Sequence, residues 1–192
     1  KQALLSVDAA TLPLAEGQTV EQLYEEVAPV IFDPKVMPKR VNQAAGEDLV
    51  LTSACNYYDG VTQQEAEAFY SAMKDPKDET PVSYGLNSRL VKENGKIQEK
   101  VWKVGGLYGA AIGKIVYWLK KAEGVAENPE QKAVIAKLIE FYETGDLKTF
   151  DDYAILWVKD LDSRIDFVNG FTESYGDPLG MKASWESLVN FK

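Results

Sequence analysis

The stretch SRLVKENGKIQEKVWKV, residues 88–104, decides the fold class. Asn94-Gly95 at its centre supplies the positive φ that a type I′ turn demands. Ser88–Glu93 and Lys96–Val104 are therefore expected to fold back on each other as an antiparallel hairpin, although Gln98 and Glu99 interrupt the alternation of the second strand. Downstream the period becomes helical. Leu107–Glu123 carries Ile112, Ile115, Val116 and Leu119 on one face, with Gly124 placed as the residue after the last turn. Asn128-Pro129 sets an N-cap before a proline at the first helical position, and the helix it opens is strongly apolar through Val134, Ile135, Leu138, Ile139, Phe141 and Tyr142 until Gly145. A shorter helix over Thr149–Val158 presents Tyr153, Leu156 and Trp157.

Upstream of the hairpin, Thr62 and Glu65 form a capping box for a helix over 62–74, with Ala66, Phe69, Tyr70 and Met73 on one face. Residues 75–81 follow as a charged, proline-containing loop. Leu49–Tyr58, rich in Val, Thr and Tyr, reads as a strand ending at Asp59-Gly60. Turns are expected at Asp33-Pro34 and Met37-Pro38. Before them, Thr19 and Gln22 make another capping box for a helix through Val20, Leu23, Tyr24, Val27 and Ile31, which Pro29 should end or kink near Ala28. Residues 1–18 read as loop or a short separate element.

After Asp162 the period changes again. Ile165, Phe167, Asn169, Phe171, Glu173 and Tyr175 fall on alternate positions, the pattern of one strand face. A helical reading through Ile165, Val168 and Phe171 accounts for fewer residues. Gly176-Asp177-Pro178 breaks the run, and a strand from Lys182 to Phe191 is expected to pair back. Helices with antiparallel strands make an α+β fold. No internal repeat or low-complexity tract interrupts it, and residues 1–192 read as a single domain or sub-domain.

Composition narrows the function classes. The 192 residues are 45% apolar and 27% charged, ordinary for a globular chain that buries roughly 70% of its unfolded surface. Net charge is −9, which argues against a nucleic-acid partner, and no apolar run reaches the roughly 18–20 residues that span a bilayer. There is no histidine, so a Ser-His-Asp or Cys-His arrangement cannot form within the chain. Cys55 is the single cysteine, which leaves too few nitrogen and sulfur ligands for a zinc site; no metal ligand is assigned, and no cofactor is expected in this chain. The chain starts at Lys1 without a secretory signal and stops inside the apolar run Leu188–Lys192, so it reads as a piece of a longer protein.

The block Gly170-Phe171-Thr172-Glu173-Ser174-Tyr175-Gly176-Asp177-Pro178-Leu179-Gly180 closely resembles the GFIESYRDPFG block of the dipeptidyl peptidase III family of zinc exopeptidases, its bacterial members most of all. Asn87-Ser88-Arg89-Leu90-Val91-Lys92-Glu93 is similar to that family's NTRLFKE segment. Trp157-Val158-Lys159-Asp160 resembles its WIQDK stretch, and Thr62–Tyr70 is loosely similar to its acidic helix. The blocks occur in the family's order over residues 55–192.

This resemblance implies an enzyme of two lobes separated by a wide cleft, with zinc held on the upper lobe by a HExxGH motif and an EExxAE-type motif. Neither occurs here, so the resemblance places the chain in the lower lobe, where it supplies substrate contacts and no metal. Tyr175 matches the family tyrosine that supports the transition state, a neutral phenol able to donate to the oxyanion as zinc-bound water attacks the scissile carbonyl. Glu173 and Glu186 match glutamates that hold the free amino terminus of the substrate, whose ammonium group seeks anionic acceptors. Gly176 and Leu179 replace an arginine and a phenylalanine of the animal motif, and Ser184 stands where animal members carry another carboxylate. The implied partners are an oligopeptide substrate and the remaining lobe of the same parent chain. The implied location is cytoplasmic, unless an export signal precedes Lys1 in the parent.

Read without the resemblance, Tyr175 before its turn is a partly buried packing residue, and Glu173 and Glu186 are solvated charges. Asp151-Asp152 and Asp160–Asp162 hold close carboxylates that read as charged helix ends rather than an acid–base pair. Tyr57-Tyr58 and the tryptophans read as core rather than a carbohydrate platform, and Cys55 as an inert buried thiol. Two functions remain: a piece of a zinc dipeptidyl peptidase that is inactive alone, or a non-catalytic acidic interaction module derived from the same lobe.

Overall fold

The computed structural model of the chain describes residues 1–33 and 35–192. The hairpin forms as its sequence demands. β2 (Ser88–Glu93) and β3 (Lys96–Val101) pair antiparallel with Glu93 opposite Lys96, and Asn94 and Gly95 take φ of 51° and 75°. A third, two-residue strand, β1 (Tyr58–Asp59), runs parallel to β2, with Tyr58 opposite Leu90. The second sheet is a two-stranded antiparallel ribbon of β4 (Ile165–Glu173) and β5 (Ser184–Phe191), so residues 165–173 are strand and the period-two reading holds over them. With the helices around these sheets, the fold is α+β.

The capping signals act where they stand. Thr19 and Gln22 cap α2 (Val20–Phe32), and Thr62 and Glu65 cap α3 (Gln63–Ser71), each through a reciprocal box. Asn128 caps α5 (Pro129–Thr144) through Gln131 N–H, and Gly145 ends it at φ 74°. A side chain at Gly145 would also collide with Val101, 2.6 Å from where its Cβ would lie. Asp146 opens α6 (Leu147–Lys159), two residues before the expected start, because its carboxylate takes the N–H groups of Lys148 and Thr149. α4 (Gly109–Glu123) ends at Gly124 in right-handed geometry rather than the left-handed one expected. A short helix, α1 (Gln2–Leu5), lies in the N-terminal segment.

Two expectations are corrected. Pro29 does not end α2, which continues to Phe32; the helix contributes no buried residue, and its last turn leaves Ile31 and Phe32 exposed. Leu49–Tyr58 is strand only at its last residue. Asp48 intervenes there. Its Oδ1 accepts from the N–H groups of Val50 and Leu51, and its backbone carbonyl accepts from the Thr52 N–H and hydroxyl. Ser53 Oγ donates to the Leu49 carbonyl, so these polar side chains bind the backbone locally and remove it from a ladder. The turn read at Asp33-Pro34 includes Pro34, which lies outside the described residues.

The core lies between α3–α6 and the two sheets. Val134, Leu138, Phe141 and Tyr142 of α5 are fully enclosed, as are Tyr70 of α3 and Leu90 of β2. Tyr57, Tyr58 and Trp102 belong to this core, as expected, whereas Trp118 and Trp185 are exposed, and Cys55 is half-buried with burial pushing its thiol pKa up. Tyr142 fixes the ribbon to the helices: its hydroxyl donates to Asn169 Oδ1 of β4 and accepts from Trp185 Nε1 of β5.

Candidate functional site

The C-terminal end of β4 carries the candidate site. Phe171 pairs with Trp185, but Glu173 pairs with Ser184, so Thr172 is an extra residue bulging from the ladder. The strand stops at Glu173, and Ser174–Gly176 form a single 3₁₀ turn. Tyr175 therefore lies beyond the strand and does not share a strand face with Glu173; this corrects the expectation that spacing of two would place both there. The turn is imposed from downstream, where the Asp177 N–H donates to the Ser174 carbonyl at 3.0 Å.

Both residues nevertheless border one groove of about 670 Å³, lined by Glu173, Tyr175, Asp177 and Leu179, with Val41 and Gln43 facing them. Tyr175 is 72% exposed, which removes the reading of it as a packing residue. Gly176 is buried beneath it; a Cβ there would lie 3.4 Å from Arg40 Nη2 and from the Tyr57 hydroxyl.

Glu186 sits on β5 opposite Gly170, two residues from Ser184 and hence on the face that meets Glu173. The space beside Gly170 is taken by the Phe150 ring, 2.8 Å from where a Cβ would lie. The hydrogen bond between the Glu173 and Glu186 carboxyls raises the Glu173 pKa above the usual carboxylate range, with desolvation and like-charge repulsion adding to it. Glu173 is half-buried and Glu186 exposed. Such a pair holds a shared proton or receives a cation.

Behind the groove lies a polar network that sequence reasoning missed. Asp177, 3% exposed, accepts from the Tyr58 hydroxyl of β1 and from three backbone N–H groups of its own loop. Lys182 is fully buried, and its ammonium donates to the Tyr70 hydroxyl at 2.5 Å and to Ser88 Oγ at 3.1 Å. Both hydroxyls in turn donate to Glu99 Oε1, so the cation reaches its counter-charge through two bridging O–H groups. Burial pulls the Lys182 pKa down to about 8, against the opposing charges of Glu99 and Asp177. In the sequence, Asp177 shows only as part of a turn signal, and Lys182 and Glu99 look like ordinary surface charges. The burial of Asp177 and Lys182 depends on contacts between α3, β2, β3 and the 177–182 loop, which no local pattern encodes.

Among the described residues no three His, Cys, Asp or Glu side chains converge where they could hold a metal ion. Nor, among them, is any helix long and apolar enough to cross a membrane.

The profile of peptidase family M49 matches residues 43–192. Dipeptidyl peptidase 3 of Dictyostelium discoideum is 32% identical over 85 residues, 44% of this chain and 12% of that protein. The human dipeptidyl peptidase 3 is 31% identical over 84 residues, 44% of this chain and 11% of that protein. The solved structure of DPP III from Caldithrix abyssi superposes with a TM-score of 0.57 at 22% identity, covering 92% of this chain and 32% of that one. That of dipeptidyl-peptidase III from Corallococcus sp. strain EGB does so with a TM-score of 0.57 at 19% identity and the same coverage. The chain thus spans about a third of the length of these solved relatives. With the profile running over the hairpin, helices α3–α6 and both Glu173 and Tyr175, the chain belongs to peptidase family M49.

Proposed function

We propose that residues 1–192 are part of the lower lobe of a longer zinc-dependent dipeptidyl peptidase, forming one wall of the cleft that receives oligopeptides. The observation that carries this reading is the groove bordered by both Glu173 and Tyr175, with Glu186 against Glu173. The carboxyl pair receives the substrate's α-ammonium group, and the exposed phenol of Tyr175 donates a hydrogen bond to the oxyanion that develops on the scissile carbonyl. Binding the amino terminus at a fixed place measures out the two residues to be removed. Zinc is assigned to the remaining lobe of the parent chain. The cytoplasmic location implied by the family resemblance belongs to the same proposal. A non-catalytic acidic module gives no role to the groove or to the carboxyl pair at its edge.

Three outcomes follow from this reading. The 192-residue chain by itself releases no dipeptide from an amino-terminally free peptide, because the metal ligands lie elsewhere; release by rigorously purified chain, unaffected by chelators of contaminating metallopeptidases, would sink the assignment. In the complete peptidase, Glu173→Gln raises KM roughly 10–100-fold, the scale of a lost charge-assisted hydrogen bond, with little change in kcat. For the unmutated enzyme KM falls as pH rises through the elevated pKa of Glu173, since the proton on that carboxyl competes with the substrate cation for the same oxygens. An amino-terminally blocked peptide is the control. If Glu173→Gln weakens the blocked and the free peptide equally, the amine-binding role is wrong.

A further inference from the structure

We infer that Asp177 is the positioning residue for Tyr175, an inference that rests on the reading of Tyr175 given above. The two side chains do not share a strand, and the exposed phenol finds no hydrogen-bond partner among the described residues, so its own contacts do not hold it in place. What fixes it is the backbone on which it stands, and that backbone is organised around one buried carboxylate. Oδ2 of Asp177 accepts from the Tyr58 hydroxyl at 2.9 Å and from the N–H groups of Met181 and Lys182 at 2.8 Å each. Oδ1 accepts from the Leu179 N–H at 3.2 Å. Its own N–H closes the 174–177 turn on Ser174, and its carbonyl accepts from Gly180 N–H at 3.0 Å. Asp177 is thus the shared member of the turn that carries Tyr175 and of the loop that returns to β5, and Tyr58 ties both to the central sheet.

Glu173 is held differently. Its backbone belongs to the β4–β5 ladder, opposite Ser184, whose hydroxyl donates to the Glu173 carbonyl at 3.3 Å. Loosening Asp177 therefore displaces Tyr175 and leaves the amine-binding carboxyl in place. This separation gives a kinetic signature that simple loss of stability would not produce. A displacement of an ångström at a reacting group costs up to about 10²-fold in rate.

The test is a double-mutant cycle in the complete peptidase, with fractional zinc content and Tm recorded for each variant. Asp177→Ala lowers kcat roughly 10–100-fold and moves KM for a free-amino-terminus peptide by no more than about twofold. Asp177→Asn recovers much of kcat, because its amide oxygen can occupy the place of Oδ2 and accept the three donors that converge there. Tyr58→Phe, which removes one of the four donors to the carboxylate, lowers kcat in the same direction by less. In the Tyr175→Phe background these substitutions produce no further fall, since the group they position is already gone. If Asp177→Ala does not accumulate as folded protein, the cycle is completed with Asp177→Asn and Tyr58→Phe. Losses that multiply with Tyr175→Phe, or that appear in KM as much as in kcat, overturn the inference while leaving the role of Tyr175 intact. An unchanged kcat in Tyr175→Phe alone overturns the reading of Tyr175 and this inference with it.

Discussion

On the role proposed for Tyr175, Tyr175→Phe in the complete peptidase is expected to lower kcat and kcat/KM together by roughly 10²–10³-fold, the cost of one oxyanion donor. The substitution removes a single oxygen from a ring that is 72% exposed. Among the described residues no protein group hydrogen-bonds to that oxygen, so the fold loses nothing and Tm stays within about a degree. The effect falls on kcat because the hydrogen bond strengthens only as negative charge gathers on the carbonyl oxygen, and an interaction confined to the transition state does not change KM. Glu173→Gln provides the contrast within the same groove, acting on KM because the substrate amine is bound in ground and transition states alike. Steady-state kinetics on one dipeptide-releasing substrate, with zinc content equal in all variants, checks both. A tyrosine variant with undiminished kcat would return Tyr175 to the status of an exposed aromatic on a turn.

Phe141→Ala produces the largest loss of stability, about 3–5 kcal/mol, with a fall in Tm of ~6–20 °C for a chain of this size. Phe141 is fully enclosed at the point where α5, α6 and β4 meet. Its ring centroid lies 4.5 Å from Phe150, 5.4 Å from Tyr142 and 6.3 Å from Phe171. Truncation would leave a void walled by three other rings, none of which can relax into it without abandoning its own contacts. Phe171 is also only two residues from Glu173, so the cavity undermines the ribbon that carries the candidate site. Urea unfolding of the 192-residue chain, with and without the substitution, measures the change in midpoint. A loss below about 1 kcal/mol would mean that these helices do not close on the ribbon as described.

The local elements of this protein were legible because each is specified by residues close in the chain. Asn94-Gly95 turns the hairpin by its own backbone preference, and Thr19, Thr62 and Asn128 start helices by taking N–H groups within the next three residues. Where local reading failed, at Leu49–Tyr58, the competing signal was also local: Asp48, Thr52 and Ser53 bind the backbone that a strand would have needed. The block Gly170–Gly180 likewise marks Glu173 and Tyr175 as candidates by its resemblance to a known family, and Glu186 follows from the same resemblance. The sequence by itself therefore determined the α+β class, the hairpin, the starts of α2, α3 and α5, and a short list of candidate residues. Only the tertiary structure decided how those residues meet. A bulge at Thr172, set by pairing with a strand that begins eleven residues beyond Glu173, ends the period-two face before Tyr175. The turn that carries Tyr175 depends on Tyr58, 119 residues away from Asp177, and the burial of Lys182 depends on Tyr70 and Ser88. Those are long-range hydrogen bonds among polar residues, and a polar residue's neighbours across the fold leave no periodic trace in the sequence, because the pattern that periodicity records is the burial of apolar faces.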